Sequence, residues 1–202
     1  MGSRLMRNSE KAYIFSHCKS GLKNCSHEWR DQCLKLKITA IKAIRMHLYL
    51  AERLWKLDPD IYIIHYVRDP RGTMRSRNAL KKYNNLTFEA ERLCQRLSSN
   101  HQYGLKLARD FPTRFLQVRY EDLALNTTLF VNKLYSFLGA NVPESLLNWL
   151  DKNTHTKKGH TFGTSRMSAE TATKWQSALG VREKEIINSV CSSELKQLGY
   201  EV

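Results

Sequence analysis

Apolar positions along this chain change period several times, and each change marks an element. Residues 38–46, ITAIKAIRM, form a short apolar stretch with β-branched members, and this predicts a strand. It runs into residues 47–57, where Leu48, Ala51, Leu54 and Trp55 recur at helical spacing. Asp58, Pro59 and Asp60 then break the pattern. Residues 61–67, IYIIHYV, are β-branched and aromatic with little alternation, as in a central parallel strand buried on both faces. Asp69 and Pro70 follow at once as an N-cap and a first-turn residue, so a helix starts there.

Beyond it, residues 87–110 predict a long helix with Ala90, Leu93, Cys94, Leu97, Leu105 and Ala108 on one face. Residues 115–119, FLQVR, predict a second strand, followed by Tyr120, Glu121, Asp122 and Leu123. A helix over 128–138 ends at Gly139. A short helix over 143–150 and a last one over 182–198, ended by Gly199, bracket a polar segment at 153–173. Strand and helix alternate, which points to an α/β layer fold with a parallel sheet. Ligands in such sheets gather at the carboxyl ends of the strands. Both strands end there in charge: Arg68, Asp69 and Arg71 after the first, Arg119, Glu121 and Asp122 after the second.

With 202 residues, 42% hydrophobic and 26% charged, the chain suits one domain over 1–202, its core at 35–200. Residues 1–34, polar and cysteine-bearing over 16–33, read as an insertion. No apolar run approaches the roughly 18 residues of a membrane span, and the N-terminus lacks the apolar core of a secretory signal. Any membrane contact is therefore expected only through a missing N-terminal anchor. The net charge of +14 favours polyanionic partners: nucleic acid, anionic glycan, membrane surface or nucleotide. Its scatter along the chain is equally the mark of a solvated surface. Five cysteines include no CxxC pair and no zinc-type spacing, so no metal is expected. Sequons at Asn24, Asn85 and Asn126 lean towards a lumenal or secreted protein, where disulfides are permitted. Cys94 and Cys191 lie on apolar faces of two predicted helices that can meet, and are expected to pair.

The segment VRDPRGTMRSR carries the sharpest chemistry. Arg68 closes the strand, and Ser76 lies about two turns into the helix. A guanidinium fork and a hydroxyl can clasp one phosphate there, helped by the positive helix terminus. The plainer alternative pairs Arg68 with a carboxylate and leaves Ser76 a helix residue. This string resembles the donor 3′-phosphate motif of sulfotransferases, especially the Golgi enzymes that sulfate galactose and N-acetylglucosamine. RYEDLALNT, LYSFLG, TSRMSAETATKW and the terminal Cys191-x7-Gly199-Tyr200 follow in the family's order, so the resemblance covers residues 35–200.

The resemblance implies a P-loop-containing nucleoside triphosphate hydrolase-like sulfotransferase fold of three layers around a parallel sheet. It also implies a donor, 3′-phosphoadenosine 5′-phosphosulfate, with its 3′-phosphate on Arg68 and Ser76. Tyr120 then approaches the adenine or packs beneath the Tyr-Glu-Asp corner. Thr164, Ser165 and Arg166 resemble the loop that closes over the nucleotide, although an exposed Ser-Arg pair is also simply solvated. Lys42 and Arg45 resemble the K-x-x-R pair facing the sulfuryl group, and His47 is a candidate base or a structural residue. The acceptor implied is a glycan on a glycoprotein or proteoglycan, and the location the Golgi lumen as a type II membrane protein. The family's first strand and glycine-rich 5′-phosphate loop have no counterpart over residues 1–60, where Gly2 and Gly21 are the only glycines. The expectation is a partial chain lacking both, weak or inactive alone. A non-catalytic nucleotide- or glycan-binding relative is the alternative. Nucleic-acid binding fits less well, because the aromatics are not interleaved with the basic residues.

Overall fold

Two strands and the helices packed on them organise everything after residue 46. The computed structural model describes residues 35, 38–44, 46–80, 83–157 and 163–202. The chain divides into two compact units, Met1–Arg45 and Met46–Val202.

In the first unit, the described residues 38–44 carry no strand, against expectation. Ile38, Ile41 and Ile44 recur at every third position, which matches no two-residue strand period. Their side chains are exposed, Ile41 by 88%.

The second unit opens with a 3-10 turn, Leu48–Leu50, leading into α1, Ala51–Leu57. Strand β1, Ile63–Val67, and β2, Phe115–Arg119, pair in parallel, with Ile63 opposite Phe115 and Val67 opposite Arg119. Between them run α2, Pro70–Asn78, and α3, Leu86–Asp110. The α/β class with a parallel sheet is thus as expected. Two-sided burial of β1 is not: Ile63 and Val67 are buried, whereas Ile64 and Tyr66 are 40% and 50% exposed. The apolar run hid an alternation because its outward residues are themselves β-branched and aromatic.

Helix α3 joins two cores. Ala90, Leu93 and Cys94 pack with Val67, Met74 and Ile187, while Leu107 packs with Trp55 and Phe115. Its buried stripe continues through His101, Gly104 and Leu107, whereas Leu105 and Ala108 face solvent. Gly104 permits the close approach, since a Cβ there would stand 3.3 Å from the Phe115 ring and 3.4 Å from Gln117 Oε1.

After β2 come α4, Tyr120–Leu125, α5, Thr127–Phe137, and α6, Glu144–Thr154. Gly139 adopts φ 63° after α5, where a left-handed residue is needed. The polar segment contributes α7, Ser168–Thr173, and is followed by α8, Trp175–Ala178. The expected last helix is two: α9, Val181–Val190, and α10, Ser192–Gln197, meeting at Cys191.

Cys191 is disulfide-bonded to Cys94, as expected, with Cα atoms 5.5 Å apart across 97 residues of sequence. Non-reducing peptide mapping should recover the two cysteines in linked peptides. Replacing both by alanine should lower the unfolding free energy in urea by about 2–5 kcal/mol, given the long loop closed.

His65 points from β1 toward Gln117, its Nδ1 3.2 Å from Oε1. Burial lowers its proton affinity from the ordinary 6.5, the Gln117 bond opposes this, and nearby His101 lowers it further. The unfolded chain therefore takes up this proton at higher pH than the folded one. His65 costs nothing above the unfolded value and destabilises as pH falls through and below it, by up to about 1.4 kcal/mol per pH unit. Urea midpoints measured between pH 7.5 and 5.5 should fall, and less so in His65→Asn.

Candidate functional site

Asp69 governs the exit of β1. It caps α2 by accepting the Arg71 N–H at 2.7 Å, with Pro70 in the first turn. Its carboxylate also takes the Arg71 side chain, through Nε at 3.1 and 3.2 Å and Nη2 at 2.8 Å. Arg71 is only 6% exposed. Its guanidinium lies 4.2 Å from the Trp175 ring, and Nη1 donates to Asn188 Oδ1 at 3.2 Å. The main-chain N–H of Asp69 donates to Glu121 Oε1 at 3.1 Å.

Arg68, one residue earlier, is not consumed by this network. Its guanidinium covers the Tyr120 ring at 4.3 Å. Its Nε is buried and has no hydrogen-bond partner among the described residues. A Cβ on Gly72 would lie 3.3 Å from that Nε and 3.1 Å from Trp175 Cδ1, so the glycine leaves room for Arg68 against the first turn of α2. Ser76, half-buried, follows Gly72 by four residues and so shares its face of the helix.

Tyr120 is half-buried and meets Tyr66 edge-to-face, ring centres 6.0 Å apart. Burial raises the Tyr120 hydroxyl pKa, the charges of Arg68 and Arg166 oppose the rise, and Glu121 adds to it. Burial also raises Tyr66, with Tyr120 adding and Arg68 opposing. Both phenols are therefore neutral donors across the physiological range.

Arg166 is thus within electrostatic reach of Tyr120, and the late loop is tied to α6. The Arg166 N–H donates to the Asn153 carbonyl at 2.9 Å, and Ser165 Oγ donates to Asn153 Oδ1 at 2.5 Å. An antiparallel bridge between His155 and Met167 closes the loop's base. The Arg166 side chain also donates to its own loop at Gly163 O. Thr164 is exposed beside them. A separate cavity of about 410 Å³, lined by Asn126, Asp151, His155 and Met167 among others, contains none of the expected site residues.

Arg68 and Tyr120 are therefore in contact, Arg166 is within electrostatic reach of Tyr120, and Ser76 shares the Gly72 face of α2. Lys42 is exposed and outside any strand. Arg45 lies outside the described residues. His47 precedes the 3-10 turn and stacks on Tyr49 with ring centres 5.6 Å apart. Tyr66, Gly72 and Trp175 were not anticipated, and Glu121 was noted only as part of the charge after the second strand. Carried past Val67 and Arg119, the parallel register sets 68 beside 120 and 69 beside 121, which accounts for Glu121.

Comparison with known proteins bears on the family and the fold. Carbohydrate sulfotransferase 1 of Homo sapiens is 30% identical over 193 residues, covering 85% of this chain and 47% of that protein. Carbohydrate sulfotransferase 3 of Tetronarce californica is 28% identical over 190 residues, covering 84% and 43%. The chain spans about half the length of these curated relatives. The sulfotransferase domain from the curacin biosynthetic pathway shares the fold, with a TM-score of 0.51 at 19% identity over 77% of this chain and 59% of that one. The model of the sulfotransferase family matches residues 4–144, more than half of the sequence, and the chain belongs to that family.

Proposed function

We propose that this chain contributes the nucleotide 3′-phosphate site of a carbohydrate sulfotransferase. The donor is 3′-phosphoadenosine 5′-phosphosulfate, and the acceptor is a sugar hydroxyl of a glycan on a glycoprotein or proteoglycan. One observation carries the reading: a buried Arg68 Nε without a hydrogen-bond partner among the described residues, beside a glycine at a helix N-terminus and above an aromatic ring. A guanidinium so held has its face on Tyr120 and keeps edge donors for an anion. Ser76 supplies a neutral hydroxyl to the same phosphate. Tyr66 and Tyr120 offer aromatic surface to the adenine, and Arg166 with Thr164 and Ser165 closes the nucleotide from the late loop.

In the reaction, the sugar oxygen forms a bond to sulfur as the bond from sulfur to the 5′-phosphate oxygen breaks. The hydroxyl proton passes to a base, for which His47 remains the candidate. Such transfers draw on positioning and on charge stabilisation at the bridging oxygen. Lys42 and Arg45 are assigned that second task. A Golgi lumenal setting is part of this reading, supported by exposed sequon residues Asn85 and Asn126 and by the Cys94–Cys191 disulfide.

Calorimetric titration with 3′-phosphoadenosine 5′-phosphate, against adenosine 5′-monophosphate, tests the site. The wild-type chain should prefer the bisphosphate. Arg68→Ala should weaken that binding by about 2–3 kcal/mol, and Ser76→Ala by about 1 kcal/mol. Equal affinity of Arg68→Ala and wild type, with both folded, would remove Arg68 from the site.

A further inference from the structure

The cavity below the late loop has no part in the donor reading. It is bounded by the end of α4, the start of α5, the end of α6 and the start of α7. Its volume of about 410 Å³ falls within the range of about 300–1,000 Å³ usual for small-molecule sites. Two lining leucines, Leu125 and Leu129, are 54% and 65% exposed and give the cavity apolar surface. Helix α6 adds Asp151 and, just past its end, His155, an exposed pair with Oδ1 and Nδ1 3.6 Å apart.

Asn126 lies in the same lining, between the two leucines in sequence. It is the N-cap of α5, where asparagine ordinarily turns its side-chain oxygen onto the first amides of the helix. Here the residue sits at φ −130° and ψ 59°, and its side chain makes no capping hydrogen bond. It is exposed, and it heads the sequon Asn126-Thr127-Thr128. Asn85 heads another sequon and provides the contrast. Its Oδ1 caps α3 by accepting the Phe88 N–H at 3.0 Å, and it has no place in this cavity.

We infer that Asn126 is N-glycosylated and that the first N-acetylglucosamine of its glycan rests in this cavity. In the attachment, Asn126 Nδ2 bonds to C1 of that sugar as the bond from C1 to the diphosphate of a lipid-linked oligosaccharide breaks. The amide gives up one proton, and the lipid diphosphate leaves. A sugar joined to Nδ2 starts one bond from a side chain that already lines the cavity, so this is the first surface it meets. The chemistry is complementary: the C–H face and acetyl methyl cover Leu125, Leu129 and Met167, while hydroxyls reach the Asp151 carboxylate and the His155 ring. His155 bridges Met167, so a sugar seated here braces α5 against the base of the late loop. The inference rests on the lumenal setting proposed above and is independent of the nucleotide site.

The test uses the full chain secreted from a eukaryotic host behind a cleavable leader, which supplies a lumenal passage whatever the native location. Glycopeptide mapping should find Asn126 occupied. Trimming each glycan to its first sugar with an endoglycosidase should leave amide hydrogen exchange over residues 150–156 and 165–169 unchanged. In Asn126→Gln those amides should exchange about fivefold faster, the worth of one net hydrogen bond, whereas Asn85→Gln should leave them as in the wild type. Thr128→Ala, which removes the sequon but keeps Asn126, should match Asn126→Gln, and Thr128→Ser, which keeps the sequon, should match the wild type.

An unoccupied Asn126 would overturn the inference. So would an occupied Asn126 whose loss leaves those amides unchanged, or a Thr128→Ser variant that remains glycosylated yet exchanges as fast as Thr128→Ala. Fractionation of cells carrying the native protein tests the setting separately. Recovery outside the secretory pathway would remove the lumenal reading, and natural occupancy of Asn126 with it, whatever the secreted chain shows.

Discussion

The buried carboxylate of Asp69 is the constraint on which the turn from β1 into α2 depends. Burying an ion pair costs several kcal/mol per ion in desolvation, so the Asp69–Arg71 pair is no simple source of stability. What offsets the cost is complete engagement: the carboxylate takes the Arg71 amide, Nε and Nη2 together, and the guanidinium also reaches Trp175 and Asn188. The pair fixes geometry. It joins the first turn of α2 to α8 and α9, while the Asp69 amide joins the same turn to the start of α4 through Glu121. With the following residue held from both sides, Arg68 has little freedom in where it leaves the strand.

Much of this architecture was legible in the sequence because the relevant signals are local. Asp69-Pro70 after an apolar run is a capped helix start, and Gly139 and Gly199 mark left-handed turns. Cys94 and Cys191 could be paired from helical faces. The failures have a common physical origin in residues whose polarity does not reveal their side. Ile64 and Tyr66 are apolar yet face outward, and His101 and Gly104 are not hydrophobic yet line the packed stripe of α3. Ile38, Ile41 and Ile44 looked like a strand by composition, while their spacing of three argued against it.

The site divides in the same way. Arg68 and Ser76 could be named because strand end and helix face are one-dimensional features. Of their neighbours, Tyr120 was named through the resemblance, whereas Trp175 was not, since it reaches the turn from a much later part of the chain. Register supplies part of the missing information. In a parallel pair, one known partnership fixes those that follow, so Arg68 over Tyr120 and Asp69 beside Glu121 are continuations of Val67 opposite Arg119. The ladder goes on in side chains after the backbone has left it.

That continuation explains why an arginine whose Nε has no hydrogen-bond partner among the described residues is tolerated in a folded chain. Leaving a buried donor unpaired costs about 1–3 kcal/mol. Stacking on Tyr120 recovers part of this through the ring face, without using any of the guanidinium's in-plane donors. A carboxylate partner would recover more, but Asp69 is engaged by Arg71, and Glu121 is engaged as well. Both of its oxygens are already taken, one by the Asp69 amide and one by the Tyr200 hydroxyl. Whether Arg68 keeps its in-plane donors is therefore set by what occupies the neighbouring acidic side chains, as much as by the arginine itself.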